Sequence, residues 1–267
     1  MNSLSGYESR YECAHLERRD GVLEVRLHTR EGSVVLNEVT HRELPCLFAD
    51  IASDRENRVV LLTGTGDDFW TAIDDSAWDF STPAGWDRIY WEGRRLLQSL
   101  LDVPVPMIAA VNGPARVHAE IPVLCDVVLA SDTADFQDLA HFSGFEVVPG
   151  DGSHLVWPLV LGPNRGRYFL LTGQRLSAQQ ALDLGVVSEV LAAAELLPRA
   201  RALAAEIARR SPLTLRYTRV ALTMWLRTAM QDGVSHGLAL EGYSVMERSQ
   251  RALAAAGSGD GHGKVPP

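Results

Sequence analysis

Three aliphatic runs, RVVLLT at 58–63, MIAAV at 107–111 and VVLA at 127–130, most constrain what this chain can fold into. None of them alternates polar with apolar residues, so neither face of such a strand suits water. Short continuous apolar strands belong in the interior of a sheet that is covered on both sides. Helical spacing fills the intervals. Leu44, Leu47, Phe48 and Ile51 recur every three or four residues within 40–52, where Pro45 is expected to interrupt the helix early. Further helices are expected at 86–101 and around Pro122. Ahead of them, apolar residues at 13–16 and 22–28 alternate on either side of Arg19-Asp20-Gly21, a hairpin signal. Strands that alternate with helices make an α/β domain.

The second half changes character. A helix capped by Ser177 and ended by Gly185 leads to a strand at 186–190, after which every segment is helical: 196–210, 213–230 and 234–254. We therefore expect a core over residues 1–195, a helical layer over 196–255, and a disordered tail at 256–267, which has almost no apolar surface to bury.

Composition removes several function classes. A net charge of −9 and no basic block oppose binding to nucleic acid or to anionic membranes. Lys264 is the only lysine, so Schiff-base chemistry has no candidate in the folded region. Cys13, Cys46 and Cys125 lack metal-ligand or CxxC spacing and read as reduced core residues. There is no leader-like start and no membrane-length apolar run, which places the protein in the cytoplasm. The TGTG stretch at 63–66 lacks the lysine of a phosphate-binding loop, and no His, Cys and carboxylate spacing points to a metal; neither cofactor nor metal is expected.

The chemistry concentrates at 136–158, FQDLAHFSGFEVVPGDGSHLVWP, where His141 and Asp151 share one Gly- and Pro-punctuated loop. A histidine oriented by a carboxylate activates water. The alternative is that His141 caps a turn and Asp151 starts the turn at Gly152. Glu146 reads as a loop acid or a solvated residue, His154 as packing at the start of the next helix, and Trp78, Trp86, Trp91 and Trp157 as pocket or core.

Four segments in order, VVLLTGTGDDF at 59–69, PMIAAVNGPA at 106–115, CDVVLAS at 125–131 and LTGQRLSAQQALDLGVVSEV at 171–190, resemble the crotonase (enoyl-CoA hydratase/isomerase) superfamily. The resemblance implies a spiral of ββα repeats with a C-terminal helical region that mediates trimerisation, and hexamers built from two trimers. Thioester-acting members carry a glycine run after AVNG; this chain has PARVHAE, with His118 near the oxyanion glycine, and the usual catalytic glutamates are missing. In DRENRVVLLTGTG, EIPVLCD, VVPGDG, HLVWP and NRGRYFLLTGQ the chain is more similar to 6-oxocamphor hydrolase and related β-diketone hydrolases.

That closer resemblance implies a catalytic dyad of His141 and Asp151, a second catalytic histidine at His118 and a glutamate at Glu241 that holds it. Backbone amides near Ile73 complete an oxyanion site. The family's active-site tryptophan falls on Leu36, and Trp78 takes an aromatic pocket position. Glu120 is expected beside the substrate, either paired with His118 or stabilising a helix start. The implied reaction is cofactor-independent, retro-Claisen hydrolysis of a small-molecule diketone to a keto acid, by a homotrimer or homohexamer. Alternatives are a biosynthetic cyclase, dehydratase or decarboxylase, a noncatalytic scaffold, and, last, an acyl-CoA hydratase.

Overall fold

The computed structural model of the chain describes residues 3–258. A hairpin comes first, β1 (Ala14–Arg19) and β2 (Val22–Leu27). β3 (Val35–Leu36) enters α1 (Glu38–Ser53); β4 (Val59–Thr63) and β5 (Ala72–Ile73) precede α2 (Pro83–Asp102). β6 (Met107–Val111), α3 (Glu120–Val123), β7 (Val127–Ser131) and β8 (Asp135–Phe136) follow. The chain continues through α4 (Ser153–Leu161), α5 (Pro163–Thr172), β9 (Leu176–Ser177), α6 (Ala178–Asp183) and β10 (Glu189–Leu191). It closes with α7 (Ala193–Ala208) and α8 (Pro212–Ser258).

The large sheet runs β1-β2-β4-β6-β7-β10, antiparallel only between β1 and β2. Every residue of β4 and β6 is buried, as their apolar runs require. Strand alternation divides their side chains between two faces. Val59, Leu61, Ile108 and Ala110 meet Leu196, Ala200 and Ala204 of α7, while Val60, Leu62, Met107 and Ala109 join the core beneath α1 and α2. A second row of short pairings stands beside this sheet: β3 with β5, Trp70 with Ala115, Ala115 with Phe136, and β8 with β9. Successive repeats thus place one long and one short extended segment each, the α/β spiral that the sequence led us to expect.

Several details depart from the sequence reading, among them Cys46, which is exposed while Cys13 and Cys125 are buried. Pro45 lies inside α1 without ending it, because Leu44, Leu47, Phe48 and Ile51 stay buried along one continuous face and outweigh one lost backbone bond. Val186 and Val187 donate their N–H groups to the Ala181 carbonyl (2.9 and 3.2 Å), so pairing with β7 begins only at Glu189. The helices expected at 213–230 and 234–254 are one helix, α8, 47 residues long. Gly233 is a packing slot there rather than a break, since a Cβ would lie 2.9 Å from the Leu155 side chain. Residues 256–258, expected in the tail, continue α8; 259–267, with Lys264, lie outside the described residues. No described helix is long and apolar enough to cross a membrane.

Arg219 anchors α8 to the sheet. Its side chain is almost fully buried and donates to Asp126 Oδ2 (2.7 Å) and to the carbonyls of Leu101 (3.2 Å) and Val103. Asp126 Oδ2 also accepts the Met107 N–H at 2.7 Å, so one carboxylate links β6 to α8. Removing the guanidinium takes this buried donor from Asp126 and from the Leu101 and Val103 carbonyls. Arg219→Ala is expected to lower stability by about 1.5–3 kcal/mol, read from the urea midpoint.

Candidate active site

The loops that leave the carboxyl ends of the parallel strands converge on one place, as connections in α/β folds do. Asn112 ties two of them: its Oδ1 accepts the Gly64 N–H (3.1 Å) and its Nδ2 donates to the Gly66 and Asp68 carbonyls (2.9 and 2.8 Å). Arg116 grips Asp135 with two bonds, of 2.7 and 2.6 Å, and fixes the next loop against β8. Two residues on, His118 has φ of 45°, a left-handed backbone that suits glycine and strains a histidine.

His141 is buried between two carboxylates. Its Nδ1 donates to Asp138 Oδ1 at 2.7 Å; its Nε2 lies 3.4 Å from Asp151 Oδ1 and 3.8 Å from Glu241 Oε1. Burial by itself lowers the affinity of this ring for a proton, but the charges of Asp138 and Asp151 and their hydrogen bonds reverse that. His141 is raised well above the ordinary histidine range. Asp151 is correspondingly lowered: its burial is overcome by the His141 charge and hydrogen bond, with His118 adding to them.

Asp151 links the two histidines. Its Oδ2 is 3.3 Å from His118 Nδ1, which also donates to Glu120 Oε1 at 2.7 Å. The other Glu120 oxygen accepts from Ser153 Oγ at 3.2 Å, so Glu120 is fully engaged in holding His118. His118 too is raised, burial being outweighed by Glu120 and Asp151. Ligand atoms of His118, Glu120 and Asp151 lie within 4.8 Å of one another, near enough to converge on a cation. The same spacing is that of an imidazole donating to two carboxylates.

These groups border a cavity of about 90 Å³ that is open on one side. Leu36, Ile73, Trp78, Phe80, Trp86 and Leu238 give it apolar walls, and His41, His118, His141, Asp151 and Glu241 a polar end. His41 is held by Glu92, Nδ1 to Oε2 at 2.7 Å, and packs edge-on against Trp78. The Asp74 N–H donates to the Leu36 carbonyl at 2.8 Å. Strand alternation therefore turns the Ile73 N–H away from β3.

Glu241 reaches the cluster through a bare contact between backbones. Gly150 packs on α8 so closely that a Cβ there would lie 2.1 Å from the Gly237 carbonyl oxygen. A Cβ on Gly237 would meet the Gly150 carbonyl oxygen at 2.4 Å and the His154 ring at 2.2 Å. The loop carrying Asp151 thereby rests directly on the helix turn that precedes Glu241.

His141, Asp151, His118, Glu241, Ile73, Leu36 and Trp78, all named from the sequence, come together around this cavity. Asp138, not Asp151, holds His141 Nδ1. Glu120 pairs with His118, one of the two readings the sequence offered for it, and takes the holding role expected of Glu241; it stands behind His118 and off the cavity wall, not beside the substrate. Glu146 is exposed and paired with Arg251 at 3.0 Å, and His154 Nδ1 donates to the Pro149 carbonyl at 2.9 Å. Of the tryptophans, Trp86 lines the cavity, Trp157 is core and Trp91 is largely exposed. The sequence reading missed His41, Glu92 and Asp138. Asp138 precedes His141 by one helical turn, a spacing that was available; His41 and Glu92 are 51 positions apart and meet only because α1 packs on α2.

The family model for enoyl-CoA hydratase/isomerase matches residues 17–250. The chain is 48% identical to the β-diketone hydrolase of the cyanobacterium Anabaena sp. PCC 7120, solved with bound (S)-3-oxocyclohexyl acetic acid. That match has a TM-score of 0.88 and covers 90% of this chain and 97% of the other. Carnitinyl-CoA dehydratase of Proteus mirabilis is 30% identical over 247 residues, 91% of this chain and 90% of its own length. An enoyl-CoA hydratase/isomerase structure from Mycobacterium paratuberculosis shares the fold at 24% identity, with a TM-score of 0.83, covering 92% of this chain and 98% of the other.

Burial pushes the Glu241 carboxyl up to about 8, with Asp151 reinforcing the shift and His141 opposing it. The folded protein therefore keeps a proton that the unfolded chain releases above the ordinary glutamate range. The stabilisation that Glu241 contributes is lost as pH rises from about 4.5 through about 8. Glu241→Gln keeps the neutral shape and removes this slope. Its loss of stability between pH 5 and pH 8 is expected to be smaller than the parent's by on the order of 3 kcal/mol, measured by urea denaturation at both values.

Proposed function

Because the chain belongs to the enoyl-CoA hydratase/isomerase family, whose fold brings these groups to one cavity, we propose that it is a cofactor-independent hydrolase that cleaves a carbon–carbon bond of a β-diketone. The observation that carries this reading is His141, fixed at Nδ1 by Asp138, with Nε2 turned toward a small cavity that it shares with His118, Asp151 and Glu241.

A 1,3-diketone needs little help to break: attack at one carbonyl gives an intermediate whose collapse expels carbon as an enolate stabilised by the other carbonyl. Water oxygen bonds to the first carbonyl carbon as His141 Nε2 takes its proton. The Ile73 N–H meets the oxyanion. Carbon–carbon cleavage sends the bonding pair into the second carbonyl, whose oxygen accepts a hydrogen bond from His118. Glu241, neutral below about pH 8, protonates the enolate carbon and is reprotonated by His141 across their 3.8 Å separation. One water is consumed, and the product unites a ketone with a carboxylic acid. The compound bound to the Anabaena relative is of that kind.

The similarity to carnitinyl-CoA dehydratase favours a second reading, thioester chemistry. Against it stands His118 in place of a bare oxyanion backbone. A biosynthetic reaction on a related enolisable ketone remains the alternative that Leu36 at the wall suggests. We assign the exposed apolar residues Leu213, Tyr217, Leu222, Met224 and Trp225 of α8 to contacts between copies in a trimer or hexamer.

Incubation with bridged bicyclic β-diketones in ¹⁸O-water, without coenzyme A or metal, is expected to yield a keto acid with one solvent-derived oxygen. His141→Ala lowers kcat by about 10²- to 10⁴-fold. Absence of turnover by the folded protein across the diketones, with tight thioester binding, would reject the proposal. The carboxylate at Nδ1 also sets the pH profile: Asp138→Asn removes a charge that raises His141, so the ascending limb of kcat/KM moves to lower pH.

A further inference from the structure

We propose that Arg248 binds a carboxylate carried by the substrate, so that the preferred substrate is an anionic diketone; this deepens the diketone reading and rests on it. Glu241, Val245 and Arg248 all line the cavity and follow one another at i, i+4 and i+7 on one face of α8. Two helical turns carry Arg248 about 10 Å along the axis from the acid–base cluster. Arg248 thus marks the far end of a ligand whose reacting carbonyls lie at Glu241 and His141.

The guanidinium is set up for this. Its carbon lies 4.8 Å from the centroid of the Phe145 ring, so one face is stacked while the in-plane N–H donors stay free. Among the described residues, Arg248 is the only lysine or arginine lining the cavity. It makes no ion pair among the described residues, although Asp75 lines the same cavity; Arg251, one turn on, is already paired with Glu146. A planar donor fork matches a carboxylate with two bonds from a single residue, whereas a phosphate dianion ordinarily gathers several donors.

Charge gives the ligand a direction. Glu120, Asp138 and Asp151 at the inner end are each paired with His118 or His141, so no cation there is without a carboxylate partner, while Arg248 offers an unpaired one at the other end. An anionic diketone therefore lies with its carboxylate on Arg248 and its carbonyls at the acid–base cluster.

The test uses a bridged bicyclic diketone bearing a carboxylate on a short tether, and its methyl ester. The parent enzyme is expected to favour the carboxylate in kcat/KM by roughly tenfold or more, the scale of a charge-assisted bond. Arg248→Gln brings that preference close to parity, while Arg251→Gln, outside the cavity, keeps it. A parent enzyme without the preference, or a preference that survives in Arg248→Gln, overturns the proposal. Calorimetry with a cyclic keto dicarboxylic acid and its monoester, on the parent and Arg248→Gln, reads the same preference without turnover. Failure of the diketone chemistry is thereby separable from failure of the carboxylate site. Coenzyme A binding that weakens in Arg248→Gln while the carboxylate preference persists would make this a phosphate site and overturn the proposal.

Discussion

Buried charge must be paired, and the arrangement of this molecule's site follows from that constraint. His141 stands between Asp138 and Asp151, His118 between Asp151 and Glu120, and His41 against Glu92, so each of these three buried imidazoles has a carboxylate within hydrogen-bond or ion-pair distance. Asp151 belongs to two of these pairs and couples them. Glu241 is the group left over: its Oε2 has no hydrogen-bond partner among the described residues, and burial resolves the excess by keeping a proton on the carboxyl. The site's acid is thus a consequence of its charge balance.

Much of this was legible in the chain. The apolar runs at 59–63 and 107–111 have no polar face, and the structure buries them completely between helices. His141, Asp151, His118 and Glu241 were found through motifs shared with a family, which place residues on a common framework whatever their distance in sequence. Partners at the next remove were harder to see. Glu92 carries no mark to separate it from the other acids of α2, and only the packing of α1 on α2 delivers it to His41. Asp138 was passed over because Asp151 satisfied the search for a carboxylate first. The length of α8 was missed because the helical pattern was split between 230 and 234, where Gly233 is a slot for the Leu155 side chain.

His118 sits on a backbone that a residue without a side chain would fit more easily. Its φ of 45° suits glycine, yet the position carries an imidazole. Glu120 two residues on, Trp70 beside the ring and Asp151 from the facing loop restrain the side chain that this backbone strains.

The seat of the Asp151 loop on α8 has a consequence for how such a site can vary. Gly150 and Gly237 touch with no side chain between them, and Glu241 lies one turn beyond that contact. One residue inserted between 237 and 241 would rotate the carboxyl by about 100° around the helix axis, out of the cavity, while leaving the helix itself intact. The interval between the two positions is therefore a fixed phase between a docking point and a carboxyl that faces the cavity, and a change of length inside it would separate the two.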